Sequence, residues 1–386
     1  MESPFAPGQR EVRLAARLGF VKDGSVRAGR LIAALVAITW VPILILTVIA
    51  GTAYGGNAAV PFLADFLPYG RYLIALPILV LMDPFINREA TSVIVNLRAA
   101  GMIAPADAST LDRNIERARH LWRSVAVRLV LLGITILIAV VTYEAIAAID
   151  APDWMFDPDS SDRALSTAGW WNAAIGIPLF RLFVLFAFWK LLIWSWFLFR
   201  LSRMHLNYQP MHADGCAGLS IFERVQIGFC GLVAALSVQF GCVIADAVSY
   251  SGHDVMSFRL PAVAFIVLML LLLFAPLAVF IRPLSQACIR AEHEFHVWFN
   301  RASERVGTSL RQTSDEAITS GLSTSEISAL TDASALYAGA LRTRKIPVTK
   351  RALVAVLAAA VVPMFLPLLP LLPLKQIAAR LASIVL

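Results

Sequence analysis

Residues 171–199 read WNAAIGIPLFRLFVLFAFWKLLIWSWFLF, a stretch that is apolar throughout except for scattered small polar residues and two cations, Arg181 and Lys190. A helix rises 1.5 Å per residue, so roughly 20 apolar residues cross a hydrocarbon layer about 30 Å thick. The stretch is long enough to do so with tilt or overhang. No Asp or Glu lies within it, so its two cations must find partners on other helices or bend toward the headgroups.

Six further stretches of the same character lie on either side of it, at about 31–50, 72–86, 125–146, 221–248, 260–281 and 352–372. Hydrophobic residues make up 59% of the 386 positions and charged residues 15%, against about 45–50% and 25% in a soluble domain. The apolar runs are continuous and lack the alternation of a barrel strand. The sequence therefore predicts an all-α, polytopic membrane protein with about seven transmembrane helices. It forms one membrane domain over 1–386, with cytoplasmic helical insertions at 87–123 and 282–350 that make a small helical bundle.

The distribution of charge orients this layout. With the N-terminus in the cytoplasm, the segments on that side hold 25 of the 33 Lys and Arg residues. Retention of Lys and Arg on the cytoplasmic side explains the net charge of +7 without nucleic acid as a partner. The first 30 residues include six Lys and Arg and no short apolar core, so they do not read as a cleavable signal, and the first span serves as its own. Four prolines between 363 and 373 leave open whether the last span crosses or re-enters the membrane.

Between the spans, the pattern Leu111, Ile115, Ala118, Trp122 predicts a helix after Pro105 that faces the cytoplasm. Ser220-Ile-Phe-Glu223 fits a capping box at the start of the fifth span, and Thr313-x-x-Glu316 and Ser323-x-x-Glu326 fit two more. Leu284, Cys288, Ala291, Phe295, Trp298, Ala302 and Val306 extend the sixth span as a helix. A weaker stripe from Ile327 to Leu341 and an amphipathic tail from Ile377 to Val385 follow.

Charges inside spans pair, line a wet cavity or snorkel, so matching depth is the test. Asp83 and Arg128 both count to the inner span ends and balance one another. Arg181, Glu144 and Asp246 all count toward the outer ends and read as structural charges. Lys190 finds no acid at its depth. Its two readings are a snorkelling stem held over aromatic faces and a residue of a polar pathway, with Gln239 as a neighbour at mid-depth.

His205, His212 and Asp214 form a cytoplasmic loop of candidate function, and His293 and His296 share a helix face. No complete metal-binding motif joins them, and the four cysteines have no ligand spacing, so no metal or other cofactor is assigned. Asp214-Gly215 reads more simply as a turn before the fifth span. P-loop, dinucleotide-binding and nucleophile-elbow motifs are also lacking.

Arg181 in its aromatic surroundings, the run Trp194 to Arg203 and the loop His212-Ala-Asp-Gly-Cys-Ala-Gly-Leu219 resemble an uncharacterised family of bacterial polytopic inner-membrane proteins. In that family a Trp- and Arg-rich helix precedes a loop of the type H-P-D-x-A-G-G-L. The similarity covers about residues 175–220, and the chain departs from it at Ala213, Cys216 and Ala217. The resemblance implies a bacterial inner membrane and no particular activity. These readings lead to a non-enzymatic inner-membrane transport protein, a channel or carrier for a small ion or solute. The alternatives are an interaction or sensor protein acting through its cytoplasmic hairpin on a protein partner or a second copy, and a metal-dependent membrane enzyme.

Overall fold

The computed structural model describes residues 3–8, 13, 16–17, 19–22, 25–54, 60–148, 152–157, 160, 164–209, 212, 214–312 and 348–371. Among these residues seven helical segments are long and apolar enough to cross a membrane. The first is α1, Ala28–Ile49, followed by α2, Phe66–Ala99. The shorter α3, Ala108–Arg123, then leads into α4, Val125–Ala148. Next come α5, Thr167–Ser202, and α6, Ile221–Tyr250. The sixth crossing joins α7, Arg259–Phe274, to α8, Ile281–Gln312, through a 3-10 stretch at Ala275–Phe280, and α9, Lys350–Phe365, is the last.

The helices are not equivalent. In α6, 56% of the apolar window is buried, against 11% in α4, so α6 is central and α4 lies at the periphery. Ile136, Leu137 and Val140 of α4 and Leu260, Val263 and Leu271 of α7 are exposed. A belt of bare aliphatic side chains around an all-α bundle is a surface that hydrocarbon, not water, covers.

The second crossing departs from its predicted bounds. The expected end at residue 86 rests on Asp83-Pro84, yet α2 runs through Pro84 and on to Ala99. Proline removes one intrahelical bond, a loss that membrane helices tolerate where neighbouring helices pack around them. Asp83 therefore lies well inside a long helix.

Two π-helical stretches, Tyr69–Ala75 in α2 and Asn172–Gly176 in α5, stand just before Pro77 and Pro178. Each proline lacks the N–H that would serve the carbonyl four residues earlier, at Leu73 and Ala174, and the wider i→i+5 turn accommodates that defect. The two stretches meet where Tyr72 Oη–H donates to Asn172 Oδ1 at 2.5 Å. A Cβ on Gly176 would come within 2.3 Å of the Tyr72 hydroxyl, so the close approach depends on glycine.

α6 and α9 run parallel, in a register fixed along their length. Glu223 accepts from Thr349 N at 2.7 Å and from Thr349 Oγ1 at 2.5 Å, Ser237 Oγ–H donates to the Ala360 carbonyl, and Gly241 lies against the Met364 backbone. Farther along, Leu368 packs with Ile244 and Ala245. The last span thus continues along α6 through Leu368 without turning back.

The capping box predicted at Ser220 is a correction. The Ser220 side chain caps nothing and its backbone is already helical, while Glu223 holds Thr349 instead of reaching back. The two later capping boxes, the Ile327–Leu341 stripe and the Ile377–Val385 tail lie outside the described residues.

Asp214 is what organises the start of α6. Its Oδ1 accepts from Cys216 N at 2.8 Å and Gly218 N at 3.1 Å, and its Oδ2 from Ser220 N at 3.1 Å. Gly215, Ala217 and Gly218 all have positive φ, so the chain folds tightly around the carboxylate. Burial pushes the Asp214 carboxyl up, but these N–H groups outweigh it and its pKa lies below the ordinary aspartate value. A depressed folded pKa means that the bonds stabilise the fold above the unfolded-state pKa, and that this stability is lost as pH falls through the folded value. Asp214→Ala is expected to cost about 2–4 kcal/mol, since hydrogen bonds to a charged acceptor contribute about 1.5–3 kcal/mol each and do not add fully. Thermal unfolding across a pH series checks this: the variant should also lose the part of the acid destabilisation that Asp214 carries.

Candidate functional site

Asp83 and Asn87 are one turn apart on α2 and face Lys190 of α5. The Lys190 ammonium donates to Asp83 Oδ1 and, at 3.1 Å, to Asn87 Oδ1, and Asn87 Nδ2–H donates to Asp83 Oδ2 at 3.1 Å. The three polar groups close on one another. The ammonium also lies 4.5 Å from the ring centre of Trp122 and 5.1 Å from that of Phe5. Lys190 is 1% exposed, whereas the Asp83 side chain is 47% exposed. The cation is sealed in, and the carboxylate reaches an opening.

That opening is a cavity of about 480 Å³, within the size range of small-molecule sites. Its walls are apolar, from Leu79, Val80, Met82, Phe183, Phe186 and Trp189 among others, and its polar side chains are Lys190, Asp83 and Arg128. Arg128 also donates from Nη2 to the Trp122 carbonyl at 3.3 Å. The arrangement can hold a molecule that is mostly apolar and carries a polar or charged end.

Phe5 reaches this site from the N-terminal segment, in which no sequence motif points to it. Arg123, at the end of α3, donates to the carbonyls of Ala6 at 2.9 Å and Pro7 at 3.1 Å. The ring of Phe5 is buried against Trp122 and Trp194. Trp122, predicted on the buried stripe of α3, thus becomes part of the Lys190 environment.

The depth count is corrected here. Lys190 does have an acid partner, Asp83, which counts to a span end only if the span stops at residue 86. Gln239 is not beside Lys190 in this network. Its Oε1 accepts from Arg71 Nε at 3.3 Å, in a second polar group built on the π-helical turn of α2. Asp246 does not serve Arg181: its Oδ1 accepts from Phe66 N at 3.1 Å. Arg181 Nη1–H instead donates to the Ile138 carbonyl of α4 at 3.2 Å. The side chain of Glu144 lies outside the described residues.

The histidine loop is not a site of convergent ligands. His205 is nearly fully exposed, with its Nδ1 3.4 Å from Asp107. His212 Nδ1 is 3.0 Å from Asp214, whose carboxylate the backbone already occupies. His293 and His296 are exposed on α8. Among the described residues no group of three or more His, Cys, Asp or Glu side chains could hold a metal ion. No family model, curated protein or solved structure matches this chain.

Proposed function

We propose that the protein is a non-enzymatic carrier of a small solute, seated in a bacterial inner membrane with its arginine-rich face toward the cytoplasm. The observation that supports this reading is the cavity lined by Lys190 and Asp83, two members of the Lys190–Asp83–Asn87 network. A buried ion pair is weak evidence for stability alone, and ionisable residues inside a membrane mark solute or ion paths more often than scaffolding. The apolar walls and the half-exposed carboxylate favour an amphipathic organic solute over a hydrated inorganic ion.

Trp122 and Trp189 both line the cavity, so occupation is expected to change tryptophan fluorescence. Purified protein in liposomes, offered small organic cations, anions, zwitterions and osmolytes, should move at least one of them. Lys190→Met should lower that flux at least tenfold without loss of the protein from the membrane. Absence of flux across the panel, together with unchanged fluorescence, would sink the carrier reading.

A sensor or docking role has one observation in its favour. α8 carries Ile289, Val297 and Trp298 exposed on a helix with a polar remainder, which suits a protein contact. Co-purification of a specific protein that is lost when 285–345 is deleted would favour that role.

A further inference from the structure

Where α6 and α9 begin, they meet α2 just past Pro84 around a cavity of about 620 Å³ that shares no lining residue with the Lys190 cavity. Three helices each bring a charge to it: Arg224 from α6, Arg351 from α9 and Glu89 from α2. Arg224 and Arg351 are exposed, and among the described residues neither guanidinium lies within ion-pair distance of a carboxylate. Glu223 also lines the cavity but is committed to Thr349. The Glu89 side chain is 12% exposed; its Oε1 accepts from Arg88 at 3.3 Å, and no described residue donates to its Oε2. Two guanidiniums and one carboxylate oxygen with bonds still to make thus line the same space.

Paired guanidiniums suit a phosphate, whose oxygens accept parallel N–H bonds. An open carboxylate oxygen suits an ammonium that brings N–H donors. A molecule holding both groups would satisfy all three side chains. The rest of the site is apolar and leads into the membrane-facing surface. Phe85 and Ile227 line the cavity. Leu81, one turn before Phe85 on α2, and Val354, one turn after Arg351 on α9, are both exposed. Residues three and four apart share a helix face, so the faces that carry Phe85 and Arg351 continue into the aliphatic belt. The occupant therefore has an apolar tail as well as a zwitterionic head.

We propose that this cavity binds the headgroup of phosphatidylethanolamine, its phosphate held by Arg224 and Arg351 and its ammonium donating to Glu89. Charged pockets between membrane helices are recurrent sites for lipid headgroups. The site uses none of the residues of the Lys190 cavity and does not depend on the carrier reading.

Native mass spectrometry of the full-length protein in detergent tests this. The probes are phosphatidylethanolamine, phosphatidylcholine and phosphatidylglycerol with the same acyl chains. One phosphatidylethanolamine should bind about fivefold more tightly than either of the others, because trimethylammonium has no N–H for Glu89 and glycerol has no charge to pair with it. Glu89→Gln should bring phosphatidylethanolamine and phosphatidylcholine to within about twofold, and Arg224→Gln with Arg351→Gln should weaken all three lipids about tenfold. Arg117→Gln, on the exposed face of α3, should change neither. Equal binding of the three lipids by the wild type overturns the proposal, as does a preference for phosphatidylethanolamine that survives in Glu89→Gln. Displacement of the lipid by an equal concentration of free phosphoethanolamine would also overturn it, since the apolar tail would then contribute nothing. If the double arginine variant does not fold, the lipid preference of the wild type and of Glu89→Gln decides the outcome.

Discussion

Asp83→Ala is expected to destabilise the protein by about 3–5 kcal/mol, the cost of leaving a buried charge without its partner. The reciprocal change should be milder, and the asymmetry is the informative result. Lys190 is sealed under Phe5 and Trp122, so when Asp83 is removed its ammonium keeps only Asn87 and two ring faces. In Lys190→Met it is the carboxylate that is left, and its half-exposed side chain can be solvated through the cavity or take a proton. The methionine fills much of the vacated volume. About 1–2 kcal/mol is expected for Lys190→Met. The double variant Asp83→Leu with Lys190→Met should recover most of the Asp83→Ala loss, because a well-packed apolar pair often matches a buried ion pair. Thermal unfolding in one detergent, run on all three variants, reads this out. Equal losses in Asp83→Ala and Lys190→Met would contradict the difference in burial.

Gly241→Ala is the second large effect, at about 3 kcal/mol. A Cβ built on Gly241 falls 2.2 Å from the Met364 carbonyl oxygen and 3.0 Å from its Cα. The obstacle is backbone, so no side-chain rotation relieves it and α6 and α9 must part. Parting them also stretches the Ser237 bond to Ala360 one turn away. Within a membrane, helices hold together through close packing and interhelical hydrogen bonds, so both contributions weaken at once. Gly133 on α4 supplies the control, since nothing lies within 4 Å of its Cβ position. Gly133→Ala should be neutral or stabilising by up to about 1 kcal/mol, from helix propensity alone. If the two alanine variants unfold at the same temperature, the close α6–α9 approach is not what holds the last helix.

Much of this architecture is legible in the sequence, and the residues show why. Span number follows from local composition: six of the seven apolar runs are about long enough to cross by themselves, and the short one at 72–86 belongs to a helix that runs over Phe66–Ala99. The helix at Ala108–Arg123 follows from the spacing of Leu111, Ile115 and Ala118, all three buried as predicted. The candidate site was legible only in part. Lys190 stands out in any reading of residues 171–199, but Pro84 reads as a helix end and so places its partner Asp83 at another depth.

What the sequence by itself determined is the all-α class and the seven apolar spans, because transfer into hydrocarbon is a property of each residue and its near neighbours. What only the tertiary structure decided is which polar groups meet: Lys190 with Asp83 and Asn87, Arg71 with Gln239, Asp65 with the Trp154 indole, and the aromatic ring of Phe5 over the buried ammonium. Such pairings depend on helix continuity past a proline, on rotation about each axis and on the register between helices. A shift of one residue turns a helical side chain by about 100°, and no local feature of the chain encodes that angle.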